Sequence, residues 1–247
     1  MPQPVIDLPP PSRAAFLLDF DGTLVDIAPR PELVVVPDGF VGQLRRLQAL
    51  CGGALAIVSG RPIAQVEAKL GGVYFAVAGE HGTAIRHAPG EMVEALPLPD
   101  LPGNWVDVAQ AAVAASPGAL LEPKRNGFVL HYRGAPEAAV PLHAVLARLA
   151  AELPDQFAVL PAKMAWELRP VGMDKGTAVR ALMARPPFAG RVPVFVGDDV
   201  TDEDGMREAC AMGGIGLRVP DMFGEAAGVR AWIGRLAEAE ADAWPAW

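Results

Sequence analysis

The stretch "AAFLLDFDGTLVD", Ala14 to Asp26, is an unbroken apolar run that ends in two aspartates. Ala14-Ala15-Phe16-Leu17-Leu18 is entered from a Pro-rich segment and closed by Gly22, which predicts a central strand buried on both faces. Strand side chains alternate, so Asp19 and Asp21 are expected to point the same way and crowd at the strand's carboxyl end. Crowded carboxylates need hydrogen bonds, a shared proton or a bridging cation, and a hard divalent ion with oxygen ligands meets that need. Asp21-Gly22 is also a turn signal, which taken alone favours a structural hairpin. The rest of the chain has to decide.

Two further apolar runs, Ala54 to Ser59 and Val192 to Gly197, have the same character. Helical spacing follows or separates them: Val41, Leu44, Leu47 and Leu50 between the first two strands, then Ile63, Val66 and Leu70. The fold class expected is α/β, a doubly wound parallel sheet, whose ligands sit outside the carboxyl ends of its strands. The middle of the chain reads differently, with strand, helix and strand candidates but no long parallel runs. It predicts a small α+β domain over 86–171, inserted into a core made of 13–85 and 172–247. Residues 1–12 read as a loose tail because Pro9 to Pro11 suit neither helix nor central strand.

Polar groups gather at the predicted strand ends. Ser59 closes its strand with Gly60 and Arg61 beyond, offering a hydroxyl and backbone N–H groups to a phosphate oxygen. After Gly197 come Asp198, Asp199, Asp202, Glu203 and Asp204, more acid than a helix start requires. Lys175 opens a helix, where an ammonium opposes the dipole unless something anionic lies near. A carboxylate pair, a hydroxyl, an ammonium and a second acidic pair, in that order, describe phosphoryl transfer. Cations stabilise the charge spread over the equatorial oxygens, and an aspartate can serve as nucleophile.

Asp19-Phe20-Asp21-Gly22-Thr23 resembles the first motif of the haloacid dehalogenase-like phosphatases, and Ser59, Lys175 and Asp198-Asp199 match the later motifs in order. "SGRP", "GEHG" (Gly79 to Gly82), "LEPKRNGFVLHYR" (Leu121 to Arg133), "WELRPVGMDKG" (Trp166 to Gly176) and "GDDVTDED" (Gly197 to Asp204) are similar to the trehalose-6-phosphate phosphatases. That resemblance implies a Rossmann-like core with an inserted C2-type cap. Asp19 would be the nucleophile. Asp21 would be general acid/base and a magnesium ligand through its carbonyl, Asp198 a further ligand, and Asp199 and Asp202 support for the metal shell. Ser59, Gly60 and Arg61 are expected to bind phosphate, and Glu122, Lys124, Arg133 and Glu167 the sugar. Asp204-Gly205-Met206 departs from the family's usual aromatic or large apolar pair. The implied reaction is magnesium-dependent hydrolysis of trehalose 6-phosphate, in trehalose biosynthesis, with sucrose 6-phosphate or a glycosyl-3-phosphoglycerate as the alternative substrate. A phosphoacceptor signalling domain would be about half this length and carry its motifs in another order.

Bulk properties bound the remaining choices. With 247 residues, 51% of them hydrophobic, the chain can build one large core or two modest ones. A net charge of −8 without basic runs argues against nucleic acid or an anionic membrane as partner. No apolar run approaches the ~20 residues of a membrane span, and the start lacks the pattern of a secretion signal, so a cytoplasmic location is expected. The partner expected is a small sugar phosphate, and a monomer is favoured. Cys51 and Cys210 read as reduced core residues.

Overall fold

A computed structural model describes residues 7–28, 30–95, 97–124, 126–239 and 243–244. The chain divides into two compact units, one reaching residue 95 and resuming at Asp174, the other running from Pro97 to Met173. The first unit opens with β1 (Ala14–Leu18), α1 (Phe40–Leu50), β2 (Leu55–Val58), α2 (Ile63–Leu70), β3 (Ala76–Gly79), β4 (Ala84–Arg86) and β5 (Glu94–Ala95). The second contributes α3 (Gly103–Ala114), β6 (Leu120–Lys124), β7 (Gly127–His131), α4 (Ala139–Glu152), β8 (Phe157–Ala162) and β9 (Ala165–Pro170). The chain then returns through α5 (Lys175–Met183), β10 (Val192–Gly197), α6 (Glu203–Ala211), β11 (Ile215–Arg218), α7 (Val219–Met222) and α8 (Ala226–Leu236).

The main sheet has the order β11-β10-β1-β2-β3-β4-β5, parallel from β11 to β3 and antiparallel at β4 and β5. All five β1 residues are buried, as an apolar run with helices on both faces of its sheet requires. In α1 the expected Leu44 and Leu47 are buried while Val41 and Leu50 are half-buried and Phe40 is buried in addition; in α2 the expected Ile63, Val66 and Leu70 are all buried. Full burial of such a side chain contributes about 1.5–3 kcal/mol, so each helix is held chiefly by one face. Connections lead from β1 through β2 to β3 on one side and return through β10 to β11 on the other. The order therefore reverses between β1 and β10, where open α/β sheets place their ligands. Asp19 N donates to Val196 O at 2.9 Å across that point.

Three expectations need correction. Residues 86–95 belong to the first unit, because β4 pairs antiparallel with β3 and carries β5, so the insertion begins near residue 97 instead of 86. The predicted loose tail falls partly on 1–6, outside the described residues. Past them the chain is fastened: Pro11 is buried, and the Trp244 indole N–H donates to Pro9 O at 2.6 Å. Cys210 is exposed on α6, not in the core, whereas Cys51 is buried.

The second unit has its own core. Its sheet runs β6-β7-β9-β8, all antiparallel, and Phe128, Leu130 and Leu168 share an apolar cluster with Trp105 of α3 and Leu142, Leu146 and Leu149 of α4. Glu122, Val129 and Glu167 stand opposite one another across three strands and lie on the other face.

Candidate active site

A cavity of about 230 Å³ in the first unit is lined by Asp19, Asp21, Ser59, Gly60, Arg61, Lys175, Asp198, Asp199 and Asp202, with His81 and Thr201 added. Each comes from the end of a strand or the start of a helix. Asp19 follows β1, Ser59 follows β2, Asp198 follows β10, and Lys175 is the first residue of α5. That helix is capped by Asp174, whose carboxylate accepts from Thr177 N at 2.7 Å.

Lys175 is the hub. Its side chain is almost wholly buried, and its ammonium donates to Asp19 Oδ1 at 2.6 Å and to Asp202 Oδ1. Burial alone would lower this lysine's pKa, but Asp19 and Asp202 outweigh burial and hold it above the usual lysine range. The anion that a lysine at a helix start calls for is thus present. Burial, the largest influence, pushes the Asp19 carboxyl up to about 8 against the pull of Lys175, with Asp202 adding to the push. Asp198 is raised too, by burial first and then by Asp202 and Asp199. The pocket holds more negative charge than one ammonium balances.

Asp202 is fully buried, and both of its carboxylate oxygens are engaged. One carboxylate oxygen meets Lys175, and the other accepts from Asp198 N at 3.1 Å and Asp199 N at 3.0 Å. It shapes the acidic loop. Asp199 is exposed, and its Oδ1 accepts from Val200 N at 2.7 Å, capping the short turn that follows. Among the described residues, Asp19, Asp198 and Asp202 form the acidic group able to hold a cation, each bringing one oxygen within 4.8 Å of the others. Carboxylate oxygens alone suit a hard ion such as Mg²⁺. Thr23, buried and missed as a site residue from sequence, donates to Asp198 Oδ1 at 3.3 Å and orients that carboxylate.

Asp21 corrects the opening expectation. Its carboxylate does not crowd against Asp19 but accepts a two-point fork from Arg61, Nε to Oδ2 at 2.5 Å and Nη2 to Oδ1 at 2.7 Å. Regular strand geometry ends at Leu18, so simple alternation fails beyond it. Two cations divide the two aspartates. Arg61, expected at the phosphate, is engaged with Asp21 here, and its backbone N–H donates to Ser59 Oγ at 3.1 Å.

In the second unit, Glu122 meets Lys124 and lies 2.8 Å from His131 Nε2. Lys124's hydrogen bond, the largest influence, and His131 hold Glu122 below the usual carboxylate range. Glu167 is on the same sheet face, two strands away. Arg133 lies on an exposed turn after β7.

The trehalose-phosphatase family model matches residues 17–219, spanning both units. The chain belongs to the trehalose-phosphatase family. It is a phosphatase of the haloacid dehalogenase-like fold. It is 38% identical over 221 residues to trehalose-6-phosphate phosphatase of Escherichia coli (strain K12), covering 89% of this chain and 82% of that one. It is also 36% identical over 205 residues to a probable trehalose-phosphate phosphatase of Sinorhizobium fredii, covering 83% and 77%. Among solved structures, Aspergillus fumigatus trehalose-6-phosphate phosphatase superposes with a TM-score of 0.68 at 26% identity, covering 92% of this chain and 93% of that chain. Among the described residues no helix is long and apolar enough to cross a membrane.

Proposed function

We propose that this phosphatase hydrolyses trehalose 6-phosphate to trehalose and phosphate in the cytoplasm, using Mg²⁺ and an aspartyl-phosphate on Asp19. The observation that carries the reading is the Asp19 carboxylate, buried at the mouth of β1 with one oxygen on Lys175 and Asp198 beside it. Asp19 attacks phosphorus through a carboxylate oxygen, the bond from phosphorus to the sugar oxygen breaks, and Asp21 gives that oxygen its proton. In the second step Asp21 takes a proton from water, the water oxygen attacks phosphorus, and the acyl phosphate bond to Asp19 breaks. Lys175 donates to the Asp19 carboxylate and orients it for the attack. Asp21 reaches the leaving oxygen only after leaving Arg61, whose guanidinium then turns to phosphate, a fork that fits two of its oxygens. The bound cation, held by Asp19, Asp198 and the Asp21 carbonyl, would neutralise charge on the transferring group. The Glu122, Lys124 and Glu167 face supplies donors and acceptors for sugar hydroxyls.

Phosphate release measured over trehalose 6-phosphate, sucrose 6-phosphate, glucosyl-3-phosphoglycerate and glucose 6-phosphate tests the reading. Trehalose 6-phosphate is expected to be turned over best, with activity lost to a chelator and restored by Mg²⁺. A better rate on one of the other three rejects the substrate; activity that survives complete metal removal rejects the cation.

A further inference from the structure

The loop after β3 is wound in an unusual way. Glu80, His81 and Gly82 take φ of +51°, +57° and +95°, three successive left-handed residues of which two carry a Cβ. A left-handed glutamate followed by a left-handed histidine is strained and persists only where its surroundings enforce it. The surroundings here do. Glu80 N donates to Arg61 O at 3.0 Å and His81 N to Ser59 O at 3.1 Å, so the loop is fastened to the turn that carries the Ser59 hydroxyl. On its other side, a Cβ on Gly82 would come within 2.9 Å of Asp174 O at the start of α5.

The enforced conformation delivers the His81 ring to the wall of the catalytic cavity. Gly60 leaves room for it. A Cβ there would lie 2.7 Å from the ring's Cε1 and 2.9 Å from Nε2, so the imidazole edge rests over the Gly60 backbone, next to Ser59. A transferring phosphoryl group presents three terminal oxygens and needs several donors. Lys175 already serves Asp19 and Asp202, and the Arg61 fork, once it turns from Asp21, fits two of the three oxygens and leaves the third to be met. We propose that His81 is a further catalytic residue, whose imidazole N–H donates to a terminal phosphoryl oxygen beside Ser59. The proposal rests on the phosphatase reading of this cavity, but not on the identity of the sugar.

The strain provides the test, since a left-handed site accepts glycine or asparagine without penalty. His81→Gly and His81→Asn are compared with wild type for thermal unfolding and for inhibition by inorganic phosphate, with p-nitrophenyl phosphate as substrate. Both variants should unfold at the wild-type temperature or above it, while the inhibition constant for phosphate rises ~10-fold or more, as loss of a hydrogen bond to a charged group implies. An inhibition constant within twofold of wild type in the folded variants overturns the proposal. A lowered Tm with unchanged phosphate inhibition does so too, because the ring is then only a packing element. If His81→Gly does not fold, His81→Asn decides alone. Failure of the wild-type protein to hydrolyse trehalose 6-phosphate would strike the substrate assignment and leave this comparison intact.

Discussion

Lys175 shows how far one residue's surroundings can be argued. Its ammonium is buried between two carboxylates, so removing it leaves the buried Asp19 and Asp202 without their shared partner. Breaking a buried pair from one side costs about 3–5 kcal/mol, and Lys175→Met should lose that much in urea unfolding as well as its turnover. A loss under about 0.5 kcal/mol would mean that the two acids are not ionised around it. Asp19→Asn should behave in the opposite sense. The amide ends phosphate release because it is no nucleophile, yet stability should hold or rise, since burial and Asp202 both oppose charge at that position. Turnover near wild type in the folded variant would remove Asp19 from the mechanism. Asp19 and Lys175 were legible because their positions follow directly from a strand end and a helix start. Asp21 was not: its partner Arg61 lies 40 residues away, and no local pattern shows that a guanidinium will claim it. His81 was hidden for another reason, since "GEHG" does not reveal that two non-glycine residues take a left-handed turn. A polar, glycine-bounded cluster directly after the Ala76–Gly79 strand is the signal that could have drawn attention to it.

Elements were easier to read than side chains. β1, β2 and β10 are unbroken apolar runs because they are buried on both faces, and α1 and α2 carry one apolar stripe each. β4 and β5 were missed as parts of the core sheet because short antiparallel edge strands lack such a run. The turn after β1 supports a sharper claim. Gly22 takes φ +81°, and a Cβ there would meet Asp198 Oδ2 at 2.2 Å, so the loop after β1 and the loop after β10 touch where the cation is proposed to bind. Gly22→Ala should cost about 1–2 kcal/mol for the left-handed backbone. It should also push Asp198 aside and raise the Mg²⁺ concentration for half-maximal activity by ~10-fold or more, the scale seen when groups supporting metal ligands are disturbed. An unchanged Mg²⁺ dependence in a folded Gly22→Ala protein would separate Asp198 from the metal.

At the scale of the whole molecule, two units with separate cores carry two kinds of chemistry. Phosphate needs cations and a nucleophile, which the first unit gathers at its strand ends; a disaccharide needs donors and acceptors spaced like its hydroxyls. On the proposed reading, the second unit would provide these from Glu122, Lys124 and Glu167 on the sheet face opposite α3 and α4. Strand register sets Glu122 and Glu167 two strands apart with Val129 between them, a separation of about 10 Å at the usual strand spacing. A site built from such groups rejects ligands that leave them unpaired, so it discriminates between sugars more sharply than an apolar pocket could. Glu167→Ala should therefore lower kcat/KM for trehalose 6-phosphate by ~10-fold or more, the effect of losing a hydrogen bond to a charged group worth about 1.5–3 kcal/mol. The same variant should hydrolyse p-nitrophenyl phosphate at close to the wild-type rate, because that substrate has no sugar hydroxyl to place and Glu167 lies outside the phosphate-binding unit. Steady-state kinetics on the two substrates separate the cases. Equal losses on both would make Glu167 a structural residue of β9 and return sugar recognition to the first unit, whereas a selective loss ties specificity to the inserted sheet.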